Sequence, residues 1–153
     1  MKNLAKGFLC LSVFFMCINA NAQNPPVREP EMNRPKLFQS FPEKIICNVA
    51  DFAILLDGNI GKNISVSVAE GIRFEGTITS VASTPDNTLQ SVVIRSTNFQ
   101  GAALSFSRIK KDDGTITYVG RILSFQHGDA YEINMENGRY YFVKKDFYDL
   151  VNE

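Results

Sequence analysis

The feature that most constrains the fold is a series of short segments with a period of two, separated by turn residues. Ile64, Val66 and Val68 alternate with serines, which is typical of a strand with one buried face. Six further strand-like segments follow, with turn formers at the breaks: 72–78, 89–95, 102–109, 115–125, 130–135 and 139–143. Seven strands linked by turns predict a mainly β fold, a single antiparallel meander that closes as a barrel or packs as two layers.

Three positions predict local detail within this meander. Gly76 lies inside the second strand, where a bulge or a close backbone approach would need a residue without a side chain. Val81, just beyond the segment 72–78, breaks its alternation of buried and exposed positions, which also indicates a bulge. Asn137-Gly138 separates the last two strands and is the pair that best tolerates the positive φ angles of a type I′ turn.

A short helix is predicted before the strands. Asn48 can cap it by accepting from the backbone N–H near Asp51, whose carboxylate also favours the positive end of the helix dipole. Gly58 is expected to end the helix in the left-handed conformation. Four apolar residues share one face at helical spacing: Val49, Phe52, Ala53 and Leu56.

The first residues predict an export signal. Lys2 and Lys6 precede an unbroken apolar stretch, 7–18, that is too short to span a bilayer. The small residues of Ala20-Asn21-Ala22 then mark a cleavage site, so residues 1–22 are expected to be a signal peptide. We therefore expect an exported protein, secreted, periplasmic or at the cell surface, without a membrane span.

Two regions are expected after the signal peptide. Residues 23–36 contain four prolines and almost no apolar side chain, which predicts a disordered, proline-rich tail. Residues 37–153 are expected to form a single β domain, and Leu37 and Phe38 are bulky enough to anchor its start. A lipid-modified Cys17 is an interpretation that the sequence leaves open.

Charge and cysteine content limit the classes of partner. Removing residues 1–22 takes away two basic residues and no acidic one, which leaves a net charge of about −2. Such a charge gives no long-range attraction to nucleic acid, so a nucleic-acid partner is not expected. Cys47 is then the remaining cysteine, and its neighbours Ile45 and Ile46 predict a buried free thiol.

The side chains that carry catalysis or bind metals are sparse, so no catalytic, cofactor-binding or metal-binding residue is predicted. His127 lies in a turn, where pairing with Asp129 would be easy, but no activated serine or cysteine accompanies it. Cys47 and His127 alone are too few for a zinc site. Paired carboxylates could still make a hydrolase, and four glutamates are available: Glu70, Glu75, Glu132 and Glu136.

A candidate interaction surface comes from exposed cations and aromatic rings. Arg95, Arg108 and Arg121 occur on three successive predicted strands and would form one patch if they shared a face, or remain isolated solvated arginines if they did not. Tyr140 and Tyr141 place aromatic rings on both faces of the last strand. One ring must therefore face outward or be covered by residues 147–151. The expected partner is an unidentified protein or a surface glycan.

Four segments resemble the β-rich propeptide of adamalysin-like zinc metalloproteases. They are Phe74-Glu75-Gly76-Thr77-Ile78, Ser91-Val92-Val93-Ile94-Arg95-Ser96, Gly120-Arg121-Ile122 and Asp129-Ala130-Tyr131-Glu132-Ile133. The cysteine-switch motif of those propeptides is absent around Cys47, and residues 102–119 form an extra hairpin. The resemblance implies an inhibitor of a secreted metalloprotease. The pattern is also similar to small secreted proteins of Bacteroidota without an assigned function.

These observations favour a secreted, non-enzymatic binding or interaction module of unknown ligand. An exported β scaffold without concentrated titratable groups can still present its loops or a sheet face to a partner. Two other hypotheses are a propeptide-like inhibitor and a hydrolase with a carboxylate pair that the sequence does not reveal.

Overall fold

The computed structural model describes residues 34–69 and 72–151. The predicted signal peptide, 1–22, and residues 23–33 of the predicted tail lie outside the described residues. The elements in chain order are β1 (Lys44–Cys47), α1 (Val49–Ala53), a 3₁₀ helix (Ile54–Asp57), β2 (Asn63–Ala69), β3 (Ile72–Ser83), β4 (Leu89–Ser96), β5 (Ala102–Lys110), β6 (Ile116–Ser124), β7 (Asp129–Glu136), β8 (Arg139–Asp146) and α2 (Phe147–Val151).

Within residues 34–69 and 72–151, eight strands form one antiparallel sheet in the order β1-β8-β7-β6-β5-β4-β3-β2. From β2 to β8 every strand pairs with its sequence neighbour, which is the meander predicted from the turn residues. The sheet curls into a half-barrel, and its two edge strands, β1 and β2, come close together. The fold class predicted from the sequence is therefore confirmed.

β1 is the strand that the sequence analysis did not count. It is four residues long and pairs with β8, so that Ile45 lies opposite Phe142 and Cys47 opposite Tyr140. Ile45 and Cys47 are buried, whereas Ile46 between them is exposed. Four residues are too few to show a period by themselves, so this strand depends on its pairing with the far end of the chain.

The hydrophobic core lines the concave face of the half-barrel. Every second residue of each strand faces it, as shown by Phe74, Phe106 and Phe142, all with no exposed surface. Phe52 of α1 enters from the open side, with its ring centroid 5.5 Å from those of Phe106 and Phe142. Burying one such phenylalanine stabilises the fold by about 2–3 kcal/mol, so α1 belongs to the core rather than to a surface loop.

The predicted helix is shorter than its apolar spacing suggested. Asn48 caps it by accepting from the backbone N–H of Ala50 at 3.3 Å, and the chain then changes to a 3₁₀ helix at Ile54. The expected left-handed Gly58 is wrong, because its φ is −76° and its ψ is 155°. Gly58 is extended instead and packs against Ile78, so a Cβ there, 2.3 Å from Ile78 Cδ1, would make the end of that side chain shift.

The other local predictions are confirmed. A Cβ on Gly76 would lie 2.3 Å from the carbonyl oxygen of Arg95, so the backbone of β4 approaches closely there. The register of β3 against β4 shifts between Ile78 and Ser80, which is the predicted bulge. Asn137 and Gly138 have φ angles of 50° and 76°, as a type I′ turn requires.

An N-terminal strap, residues 34–43, closes one end of the half-barrel. The carboxylate of Asp129 accepts from the backbone N–H groups of Leu37 at 2.6 Å and Phe38 at 2.9 Å. The Phe38 ring lies 5.0 Å from that of Tyr131 and 5.6 Å from that of Phe99. None of the helices among residues 34–69 and 72–151 has both the length and the apolar character that crossing a membrane requires.

Candidate functional site

The sheet opens between β6 and β7. These strands pair at three positions only, Arg121 with Glu132, Ile122 with Tyr131 and Leu123 with Ala130, whereas β6 pairs with β5 along its whole length. Beyond those positions the two strands remain extended without a ladder between them. We call this feature the β6–β7 opening and define it by residues 116–120 of β6 and 133–136 of β7.

A side chain from a third strand crosses the opening. The hydroxyl oxygen of Tyr140, on β8, accepts from the backbone N–H of Tyr118 at 3.2 Å. In an unbroken ladder that N–H would bond to β7, so the hydroxyl substitutes for a missing main-chain acceptor. Since backbone groups alternate along a strand, the N–H and C=O of Gly120 face the opening in the same direction as Tyr118.

The same alternation gives the direction of the β7 groups. Ile122 faces β7 with its backbone, so Ile122 and Tyr131 form the hydrogen-bonded pair, and Ile133 and Met135 follow the parity of Tyr131. A second hydrogen bond agrees with this. Lys144 lies opposite Tyr131 in the register of β7 and β8, and its N–H donates to the Glu43 carbonyl at 2.8 Å, away from β7. Lys144 and Tyr131 therefore do not bond to each other, and the backbone groups of Tyr131 face β6. The N–H and C=O groups of Ile133 and Met135 therefore face the opening.

On the convex face the opening is continuous with a groove of about 510 Å³. Its closed end is fixed by an ion pair in which Arg121 Nη2 lies 2.8 Å from Glu132 Oε1. Gly120 forms part of the floor, where a Cβ would lie 2.7 Å from the carbonyl oxygen of Ser105. The groove is lined by Ser105, Ser107, Val119, Gly120, Arg121, Glu132, Ile133 and Asn134.

On the concave face the same end of the sheet carries what we call the concave rim. Arg108 lies here because it follows Phe106 by two residues, and its Nη1 donates to Gln90 Oε1 at 3.0 Å. Tyr118 lies opposite Arg108 in the register of β5 and β6. The rim comprises Gln90, Arg108, Ile116, Tyr118, Met135 and Tyr140.

The structure divides the five residues of the predicted interaction surface between the two faces. Arg108 and Tyr140 lie on the concave rim. Arg95, Arg121 and Tyr141 lie on the convex face, and Lys44 Nζ lies 4.2 Å from the centroid of the Tyr141 ring. The three arginines therefore do not share one face, and a role of any of the five in binding stays a prediction.

His127 and Asp129 do not pair in the way that the sequence allowed. His127 Nδ1 lies 2.9 Å from Ser124 Oγ, and Ser124 has no exposed surface. The Asp129 carboxylate is held by two backbone N–H groups of the strap, so it fixes the chain rather than orienting an imidazole. The Ser124 hydroxyl also accepts from the backbone N–H of Gln126 at 3.2 Å, so in this structure the three residues hold the turn between β6 and β7 together.

Three carboxylates face a polar pocket of about 380 Å³ beside the strap. Glu43 lies 2.9 Å from Lys144 Nζ, Asp146 lies 3.4 Å from Lys36 Nζ, and Asp129 binds the strap. Each of the three carboxylates thus has a partner in this structure. In the described part of the chain, no group of three or more His, Cys, Asp or Glu side chains is arranged to hold a metal ion.

Sequence reasoning missed the β6–β7 opening and four of the six residues of the concave rim, Gln90, Ile116, Tyr118 and Met135. The placement of Arg108 could have been found from its parity with the aromatic residue Phe106. The opening has no such signal, because both strands carry ordinary alternating patterns, and such a pattern does not show which neighbour a strand pairs with or over what length.

Comparison with known protein families, with curated proteins and with solved structures found no match to this chain. The resemblance to metalloprotease propeptides and to small secreted proteins of Bacteroidota therefore stays a prediction. Any inference about function therefore depends on the geometry of the β6–β7 opening and of the concave rim.

Proposed function

We propose that this chain is an exported, non-enzymatic binding module that takes an extended segment of a partner protein as an added strand at the β6–β7 opening. The observation that carries this proposal is that β6 and β7 pair at three positions and then leave main-chain groups facing each other without a ladder. Strand addition satisfies such groups directly, which is how many sheet edges bind peptides.

Of the two strand edges that face the opening, that of β7 is the better template for pairing with an added strand. Tyr118 already uses its N–H with the Tyr140 hydroxyl, so part of the β6 edge is occupied. Ile133 and Met135 offer two N–H and two C=O groups at the spacing of a regular strand. We therefore assign the added strand to β7 at residues 133–136.

The convex groove suits the side chains of such a segment. Ser105 and Ser107 are small, and Val119 is 42% exposed, so alternate side chains of the added strand find space and one apolar contact. Side chains of an added strand give specificity, while main-chain bonds give most of the affinity. The Arg121–Glu132 ion pair at the closed end limits the added strand to the open part of the groove.

Selection from a random heptapeptide library displayed on phage tests this proposal. We expect selected peptides to slow amide hydrogen exchange at Ile133 and Met135, and to lose binding when proline replaces alternate residues, because proline cannot donate. The variant Val119→Lys places a charge beside the edge and should weaken binding about tenfold or more. Leu89→Lys is a matched control, since Leu89 is 41% exposed on the convex side of β4, away from the groove.

Three results would contradict strand addition. The first is protection from exchange at sites other than residues 133–136. The second is equal loss of binding in Val119→Lys and Leu89→Lys. The third is binding that tolerates proline at every peptide position, because it would then not depend on main-chain hydrogen bonds.

The inhibitor hypothesis uses the same chemistry with an enzyme cleft as the partner, and it stays a prediction. A metalloprotease cleft binds substrates as extended chains, so an open strand edge is compatible with it. The hydrolase hypothesis and a surface glycan partner also stay predictions.

A further inference from the structure

Arg108 is a cation on a face that otherwise holds the core. It lies on the same side of β5 as Ala102, Leu104 and Phe106, all of which are buried. Its partner within residues 34–69 and 72–151 is the neutral amide oxygen of Gln90, and none of the ion pairs among those residues includes it. A guanidinium has five N–H donors in a planar fork, and a single bond to an amide leaves most of that capacity for an anion.

Aromatic and apolar side chains share the concave rim with this cation, and Tyr118 lies opposite it on β6. The Tyr118 ring stacks on Phe106 with a centroid distance of 5.6 Å and meets Tyr140 edge-on at 5.7 Å. Ile116 is 41% exposed two residues before Tyr118, and Met135 is 59% exposed opposite Tyr140 in the register of β7 and β8. Exposed apolar surface that continues from a core onto a rim is typical of a binding site.

The position of α1 explains why the rim stays accessible. Phe52 covers Phe106 and Phe142, the last fully buried residues of β5 and β8 towards this end. Arg108 and Tyr140 lie one step further along the same face, and both are half-buried rather than buried. α1 thus covers the core as far as Phe106 and Phe142, and Arg108 and Tyr140 beyond them stay partly exposed.

We propose that the concave rim binds an amphiphilic carboxylate, with the carboxylate on Arg108 and the apolar chain on Tyr118, Tyr140 and Met135. Charge complementarity selects the anion, because a guanidinium and a carboxylate form two parallel, charge-assisted hydrogen bonds. The apolar chain gains burial against rings that are already ordered by their contacts with the core. This site goes beyond the proposed strand addition and uses the opposite face of the sheet.

Titration of the full chain with dodecanoate below its critical micelle concentration tests the proposal. We expect saturable binding at one site by calorimetry, with NMR shift changes at the Arg108 side chain and the Tyr118 and Tyr140 rings. Dodecyltrimethylammonium has the same chain with the opposite charge and should bind at least tenfold more weakly. This comparison needs no variant, so it does not depend on the folding of a mutant.

Two variants complete the experiment. Arg108→Gln should weaken dodecanoate binding tenfold or more, whereas Arg95→Gln, on the convex face of the neighbouring strand, should leave it unchanged. Equal affinity for the two charged probes would overturn the proposal. So would unchanged binding in Arg108→Gln, shift changes confined to the convex groove, or the lack of saturable binding. The phage-selected heptapeptides report separately on the β6–β7 opening, so failure at one site is distinguishable from failure at the other.

Discussion

Burial determines the chemistry of Cys47. The residue lies on the concave side of β1 and is 5% exposed. Burial, and to a smaller degree the charge of Asp51, raises the pKa of its thiol from 9.0 to about 12. Because the thiolate is the nucleophile and the metal-binding form, Cys47 is inert at neutral pH.

This pKa shift predicts how stability depends on alkaline pH. The unfolded chain loses the Cys47 proton near pH 9.0, whereas the folded protein keeps it until about pH 12. The contribution is therefore fully present below pH 9.0 and is lost as the pH rises towards 12. We expect the urea midpoint to fall less steeply from neutral pH to about pH 10.5 in Cys47→Ala than in the wild type.

Tyr131 provides the internal reference for that measurement. Burial, followed by the charges of Glu43 and Asp129, raises its pKa from 10.0 to about 12, and this applies equally to both proteins. Only the difference between the two slopes therefore reports on Cys47. Parallel slopes would show that the thiol titrates alike in the folded and unfolded chains.

Individual residues differ in how far the sequence reveals their environment. Cys47 could be predicted as buried from its isoleucine neighbours. Arg95 and Arg108 resemble each other in sequence, yet Arg95 follows buried Ile94 by one residue and Arg108 follows buried Phe106 by two, which puts them on opposite faces. The number of residues between an arginine and a core residue of the same strand therefore predicts which face the arginine lies on, whereas the residue type alone does not.

Among the elements, turn chemistry was the most predictable level of structure. The Asn137-Gly138 turn and the bulge near Val81 follow from local rules on φ angles and alternation. β1 does not, because it depends on a distant partner, β8. Local signals decide local geometry, and tertiary contacts decide the rest.

Two glycines of the meander make this distinction measurable. Gly138 has φ of 76° and open space around its Cβ position, so Gly138→Ala should cost about 1–2 kcal/mol of unfolding free energy through backbone strain alone. In Gly76→Ala the new Cβ would lie 2.3 Å from the Arg95 carbonyl oxygen, so the backbone of β4 must move. This variant should lose about 3 kcal/mol or more of unfolding free energy. Urea unfolding of both variants gives the ranking, and a larger loss in Gly138→Ala would contradict it.

At the scale of the molecule, the first and last strands of the described residues, β1 and β8, lie side by side in the half-barrel. β1 pairs with β8, and the strap is held by Asp129, Tyr131 and Phe99 from far along the sequence. The hairpins from β2 to β8 are local, and a sequence pattern predicts them well. The β6–β7 opening could not be predicted, because the alternating patterns of β6 and β7 give the buried face of each strand but not the extent of their pairing.

The same division between local and distant contacts suggests an order of folding. Local hairpins form early because they close short loops, whereas docking the strap closes a loop of most of the domain and is rewarded only once its aromatic site exists. We therefore expect the strap to dock after the rate-limiting step. Contacts that form late affect the unfolding rate far more than the folding rate.

Phe38 tests this order, because it is 2% exposed and joins the strap to the rings of Phe99 and Tyr131. Phe38→Ala should cost about 3–5 kcal/mol, since it leaves a cavity among aromatic rings. In stopped-flow measurements the unfolding rate should rise about a hundredfold or more while the folding rate changes little. Phe125→Ala is the matched control, because Phe125 is 72% exposed and its loss should cost less than about 1 kcal/mol. A folding rate that falls by the whole amount in Phe38→Ala would instead place the strap in the folding nucleus, with its contacts to Phe99 and Tyr131 already formed in the transition state.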